Sequence, residues 1–298
     1  MRIVSLLPST TEILFALGAG EQVVGVTFEC DFPPEARSRR IVSTSSLPEG
    51  LAPARIDALV TERMAAGEDL YHLDEGALAG LDADVVVTQD LCAVCAVDVS
   101  VVDDALAHLG CRAEVVTIDP HTLDEVLDSI GVLGKVSGTE SRAAELVTGL
   151  RARLSRVEQA VAGRPTPRVL VLEWTEPPFA PGHWVPEMVE RAGGVSTLGV
   201  AGSKSFRTTW EAVAASRPDL IVSAPCGFAL PGSTRLAEEL LASGVLPDGV
   251  PLWAVDANAS FARPGPRLVD GVETLAAIAH PHADGLSPVD QESATRLR

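Results

Sequence analysis

Positive charge is scarce in this chain. Against 41 aspartates and glutamates stand 23 lysines and arginines, a formal net charge of −18 over 298 residues. Nucleic acid and anionic membrane surfaces require clustered cations that displace counterions, so no nucleic-acid partner is expected. Long apolar runs are missing too. None approaches the ~18 residues of a membrane span, so no membrane insertion is expected. The five cysteines are an odd, sparse set and make no disulfide scaffold. Enzyme signatures are also absent: there is no G-x-S-x-G elbow, phosphate-binding Walker loop, G-x-G-x-x-G or H-E-x-x-H. Glu173 and Glu187 lie near His183 in sequence, but nothing places them as an acid–base pair.

What is present is the composition of a folded globular chain, 46% hydrophobic and 21% charged. A chain of this length buries roughly three quarters of its unfolded surface and suffices for two lobes. Met1-Arg2 runs directly into the strand-sized Ile3-Val4-Ser5-Leu6-Leu7, and Ser9 with Glu12 reads as a capping box that starts a helix. The chain is therefore expected to open on folded structure. A cytoplasmic location is expected as written, and a periplasmic or cell-surface one if a leader has been removed.

Short Val/Ile/Leu-rich runs, apolar on both faces, alternate with helical patterns, as in an α/β fold with central parallel sheets. The strands expected are Ile3 to Leu7, Val23 to Val26, Val85 to Thr88, Ala113 to Ile118, Val169 to Glu173, Leu220 to Ser223 and Leu252 to Val255. Helices are expected over Thr10 to Leu17, Val99 to Leu109, Ser233 to Ala242 and Gly265 to Ala279. The two halves echo each other. Arg2-Ile3-Val4-Ser5-Leu6 matches Arg168-Val169-Leu170-Val171-Leu172, and Asp84-Val85-Val86-Val87-Thr88 matches Asp219-Leu220-Ile221-Val222-Ser223. The expected organisation is an N-terminal lobe over 1–121, one long connecting helix over 122–163, a C-terminal lobe over 164–280 and a frayed polar tail over 281–298. Sheets of this kind hold ligands beyond the carboxyl ends of their strands. There the two lobes would present Ser9, Thr10, Glu29, Gln89, Trp174, Phe179, His183, Trp184, Phe228, Asn258, Phe261 and Arg263 to a shared cleft.

The opening Ile3-Val4-Ser5-Leu6-Leu7-Pro8-Ser9-Thr10-Thr11-Glu12-Ile13-Leu14, followed by Leu17-Gly18, resembles the start of the class III substrate-binding proteins of ABC importers for cobalamin, haem and ferric siderophores. Arg263-Pro264-Gly265-Pro266-Arg267-Leu268-Val269 resembles the start of their last helix, and Thr88-Gln89-Asp90-Leu91-Cys92-Ala93-Val94-Cys95-Ala96-Val97 is similar to the cobalamin-binding group. The resemblance implies two Rossmann-like lobes joined by a rigid helix, a small-molecule ligand such as a corrinoid, and an ABC permease as partner. It also implies docking on that permease through one acid per lobe. Glu62 and Glu68 could serve in the first lobe or be simply solvated.

A flat macrocycle needs apolar walls and a few fixed polar groups. Trp174, Phe179 and Trp184 cluster near strand ends, where they would supply stacking surface or ordinary core. His183 could ligate cobalt or iron, donate to a ligand, or cap a loop. Cys92 and Cys95 form one Cys-x-x-Cys. It is open to three readings: a redox pair, a zinc or iron site completed by Cys30 and Cys226, or two half-buried structural thiols. The alternative to a binding protein is accordingly a cytoplasmic metal- or redox-active protein built on those four cysteines.

Overall fold

The computed structural model describes residues 1–48, 50–66, 68, 70–73, 76–89 and 113–298. The helix expected over Val99 to Leu109, and Cys92, Cys95 and Cys111, lie outside the described residues. The chain divides into two compact units. Unit 1 is Met1–Pro120 with Leu127–Val147, and unit 2 is His121–Val126 with Thr148–Arg298.

Unit 1 is built on a six-stranded sheet: β1 (Ile3–Ser5), β2 (Val23–Thr27), β3 (Arg40–Ser45), β4 (Tyr71–Leu73), β5 (Val85–Thr88) and β6 (Glu114–Thr117), in the order β4-β3-β2-β1-β5-β6. Only β4, paired with β3, runs antiparallel. β1 sits between β2 and β5 and is buried throughout, so a strand with no polar face is what this position requires. Val4, Leu6, Val42 and Val86 pack with Ala77, Leu78 and Leu81 on one side of the sheet. Each large apolar side chain buried this way contributes roughly 1.5–3 kcal/mol.

Helix α1 (Pro8–Ala16), followed along the chain by α2 (Pro53–Ala65), starts differently from expectation. Leu7 is its N-cap, without a side-chain cap bond, and Pro8 occupies the first turn, so Ser9 and Glu12 lie inside the helix. Proline at this position has no N–H to leave orphaned and its φ is already helical, so it replaces the capping box. A capping box does occur at Thr122 and Glu125. The Glu125 N–H donates to Thr122 Oγ1 at 3.2 Å, and the Glu125 carboxylate accepts from the Thr122 N–H.

Unit 2 repeats the parallel core. β7 (Arg168–Leu172), β10 (Val195–Ser196), β12 (Leu220–Ser223), β13 (Leu252–Val255) and β14 (Ala294–Arg296) form a sheet in the order β10-β7-β12-β13-β14. The parallel run β10-β7-β12-β13 corresponds strand for strand to β2-β1-β5-β6 of unit 1. A second, antiparallel sheet of β8 (Trp174–Thr175), β9 (Pro178–Ala180) and β11 (Phe206–Arg207) grows from the end of β7. Leu170, Leu172, Ile221, Leu252 and Ala254 pack with Val213, Ala237 and Leu240 in the core.

The single helix expected over 122–163 is two helices, α3 (Leu123–Ser137) and α4 (Glu140–Val161), broken at Gly138, where φ is +68°. Within unit 1, Gln22 donates to the Ser137 carbonyl at 3.0 Å and Arg142 to the Leu17 carbonyl at 3.2 Å. Within unit 2, Arg153 on α4 forks onto Asp270 and Glu273 of the last helix (Leu268–Ala279). Arg191 gathers Asp124, Glu158 and Glu187, and Glu187 also accepts the Leu123 N–H. The polar tail expected over 281–298 is folded at its end: β14 pairs antiparallel with β13, Trp253 against Arg296 and Val255 against Ala294. No helix among the described residues is long and apolar enough to cross a membrane.

Candidate functional site

In unit 1 the carboxyl end of β1 runs into a web of buried hydroxyls. The Ser5 and Thr10 hydroxyls share a hydrogen bond of 2.6 Å, and the Thr10 hydroxyl donates to the Leu7 carbonyl at 3.1 Å. Thr11 Oγ1 lies 2.8 Å from Ser5 Oγ and 3.1 Å from Cys30 Sγ. Ser43 donates to Thr27 Oγ1 at 2.7 Å beside them. Ser9, Thr10 and Gln89, expected at a ligand, are all buried, and the Thr10 hydroxyl is engaged within the protein. The half-buried Glu29 accepts from the Tyr71 hydroxyl at 3.3 Å through both carboxylate oxygens. The Tyr71 ring lies 5.9 Å from that of Phe28, which is 38% exposed. An aromatic pair with a fixed acid therefore stands at the end of β2.

Unit 2 carries the more developed arrangement, centred on Glu173 directly after β7. Its N–H donates to the Phe179 carbonyl at 3.1 Å, and its own carbonyl accepts from the Cys226 N–H at 3.0 Å. Its carboxyl accepts from the Gly182 N–H at 3.0 Å and is hydrogen-bonded to Ser205. The residue keeps partial exposure while the carboxyl itself lies deep in protein, and that burial pushes its pKa up to about 7 against the opposing effect of the two hydrogen bonds. Around this hub stand three half-buried aromatic rings. Trp174 pairs across strands with Phe179 and packs against Phe228 at 5.8 Å, while its indole N–H donates to the Glu176 carbonyl. The Arg207 guanidinium sits 5.9 Å from the Phe179 ring, and Phe206 beside it is 46% exposed. The arrangement offers flat π-surface with a cation at its edge, suited to a planar apolar ligand bearing polar or anionic substituents.

Behind this face two segments approach at backbone distance. The His183 N–H donates to the Ser203 carbonyl at 2.5 Å, and the His183 carbonyl accepts from the Gly202 N–H. A Cβ on Gly182 would lie 2.0 Å from the Ser205 nitrogen, so only glycine fits. His183 has a left-handed backbone, φ +50°, and a buried Nε2 with no hydrogen-bond partner. Burial first, then the fields of His121 and Lys204, hold its pKa below the usual value, so the imidazole stays neutral at pH 7. The His121 ring is 6.0 Å away.

The remaining expectations divide by burial. Trp184 and Phe261 are core, 6% and 2% exposed, and the Trp184 indole N–H donates to the Phe261 carbonyl at 2.7 Å. Arg263 is buried, and Asn258 is half-buried with its N–H donating to the Phe228 carbonyl. Cys30 is buried in unit 1 and Cys226 is exposed in unit 2. Among the described residues no group of three or more metal-ligating side chains is assembled. Sequence reasoning passed over Glu173 as a structural hub, and over Tyr71, Arg207 and Ser205. Glu173 did carry a signal, a lone acid closing the apolar run Arg168-Val169-Leu170-Val171-Leu172. Tyr71 carried none, because its place depends on an antiparallel edge pairing that no periodicity reveals.

The model of the periplasmic binding protein family matches residues 3–246. The vitamin B12-binding protein of Vibrio cholerae is 25% identical over 279 residues, 92% of this chain and 87% of that protein. An uncharacterised ABC transporter substrate-binding lipoprotein of Bacillus subtilis is 24% identical over 296 residues, 94% of this chain and 80% of that protein. A periplasmic heme-binding protein from Pseudomonas aeruginosa superposes with a TM-score of 0.72 at 21% identity, over 100% of this chain and 98% of that one, which shows the shared fold.

Proposed function

The chain belongs to the periplasmic binding protein family, and from that premise we propose that it binds a corrinoid or related tetrapyrrole and delivers it to an ABC permease. The observation that carries this reading is the aromatic face of Trp174, Phe179 and Phe228 at the strand ends of unit 2, edged by Arg207. Aromatic rings held by backbone pairing lose little rotamer freedom when a flat ligand covers them, so most of the stacking energy is retained as affinity. Arg207 is placed to meet a peripheral carboxylate or amide. The Phe28–Tyr71 pair with Glu29 gives unit 1 a smaller surface of the same kind. The names of the relatives, B12-binding and heme-binding, describe ligands of this shape. A periplasmic or cell-surface location goes with this reading, in place of the cytoplasmic one expected from the first residues.

The test is separate titration of cobinamide, cobalamin and hemin into the purified full-length protein, followed by ligand absorption and tryptophan emission. A saturable, one-site shift with at least one of them is expected. Absence of any shift with all three at micromolar concentration would overturn the assignment.

A further inference from the structure

We propose that Glu173 is the positioning residue of the unit 2 aromatic face, never touching the ligand and instead fixing the rings through four hydrogen bonds. This rests on the ligand reading above and deepens it. The case is topological. The Glu173 N–H holds β9 at Phe179, its carbonyl holds the Cys226–Phe228 turn, and its carboxyl holds Gly182 and Ser205. Phe179 and Phe228 are thus tied to the residue that precedes Trp174. Ser205 leads into β11, where Arg207 pairs with Phe179, so the carboxyl also sets the strand that brings the guanidinium over that ring. The backbone bonds would persist with any side chain, but the link to Ser205 and Gly182 exists only through the carboxyl.

The titratable or charged side chains on the segments packed round Glu173 are Glu176 and His183 on 174–184, Lys204 and Arg207 on 203–207, and Cys226 on the following turn. None of them is bonded to the carboxyl in the structure. Its charge is therefore uncompensated by a salt bridge, and burial favours the neutral acid over the opposing effect of the Gly182 and Ser205 hydrogen bonds, both of which donate to the carboxylate. Ionisation above neutrality puts an uncompensated charge into a site that solvates it poorly. The face should loosen as pH rises past about 7.

The experiment uses full-length protein without ligand, since Trp174 adjoins Glu173 and reports on it. Tryptophan emission of the wild type from pH 5.5 to 8.5 is expected to show a transition centred near 7, and Glu173→Gln should hold the low-pH signal throughout. His183→Gln should leave that midpoint in place, because His183 titrates lower. In a second arm, cobinamide, cobalamin and hemin affinities are measured at pH 6 and pH 8. The wild type is expected to bind several-fold more weakly at pH 8 and Glu173→Gln equally at both. A transition that survives in Glu173→Gln, or a wild type with no transition, overturns the proposal. Failure of all three tetrapyrroles to bind overturns only the ligand reading, because the emission arm needs no ligand.

Discussion

Replacing Gly182 with alanine should loosen unit 2 far more than its single added methyl implies. The new Cβ would stand 2.0 Å from the Ser205 nitrogen, 2.5 Å from the Lys204 carbonyl carbon and 2.7 Å from the Ser203 oxygen. All three are backbone atoms, so no side-chain rotation relieves the clash and the 203–205 segment has to retreat. Overpacking of this kind costs about 1–3 kcal/mol, and retreat also strains the His183–Ser203 and Glu173–Ser205 bonds at about 1 kcal/mol each, for a total of about 3–5 kcal/mol. Gly227→Ala is the control. Its φ is +81° but nothing lies within 4 Å of the added carbon, so only the left-handed penalty of about 1–2 kcal/mol applies. All four tryptophans, at 174, 184, 210 and 253, belong to unit 2, so urea unfolding followed by tryptophan emission reads this unit alone. Gly182→Ala should lower the midpoint well beyond Gly227→Ala and weaken tetrapyrrole binding. Equal losses in the two variants, or a smaller loss at Gly182, would refute the close approach of these segments.

Trp174→Ala should weaken ligand binding roughly 5- to 30-fold by removing one stacking ring, read by ligand absorption since emission is altered. Phe261→Leu, a change in the core, should leave affinity nearly unchanged while lowering stability. Glu173→Gln should alter the pH dependence of stability with a definite sign. The native pKa of about 7 is raised above the ordinary 4.5, so the stabilisation is complete below about 4.5, falls as pH rises and is gone above about 7. The unfolding free energy of Glu173→Gln relative to wild type should therefore climb across that window by about 3 kcal/mol and then stay level, and parallel curves would contradict it. Arg153→Met should cost unit 2 about 1 kcal/mol in urea unfolding, an amount discounted because Asp270 and Glu273 are part-exposed, and the loss should shrink at high salt.

Much of the fold is written in local pattern. The Val-, Ile- and Leu-rich runs at β1, β5, β7, β12 and β13 are apolar on both faces because each lies inside its sheet with a strand on either side, and that burial leaves a continuous signal. β3, with the sequence Arg-Ile-Val-Ser-Thr-Ser, escaped because it lies beside the antiparallel edge strand β4 and is only partly buried, so four of its six residues are polar. The break at Gly138 does not register as a new helix start in the sequence, since apolar periodicity resumes at once after it. At the candidate site, Trp174, Phe179 and Phe228 were legible because aromatics are rare here. Trp184 and Phe261 share that rarity yet are core, and only the three-dimensional packing separates the two groups. Glu173 was misjudged for a physical reason. Its importance lies in four hydrogen bonds to residues up to 53 positions away, and no sequence spacing encodes them.

The strand that closes the unit 2 sheet beside β13 is β14. Arg298 fastens it, its guanidinium donating to the Val250 and Pro247 carbonyls while the Leu252 N–H donates to its backbone carbonyl. Loss of the Arg298 contacts and of β14 would bare the flank of Leu252–Val255, a row of unsated amides ready to recruit a neighbouring molecule. Shelf life in solution, and not only folding, thus depends on residues 294–298.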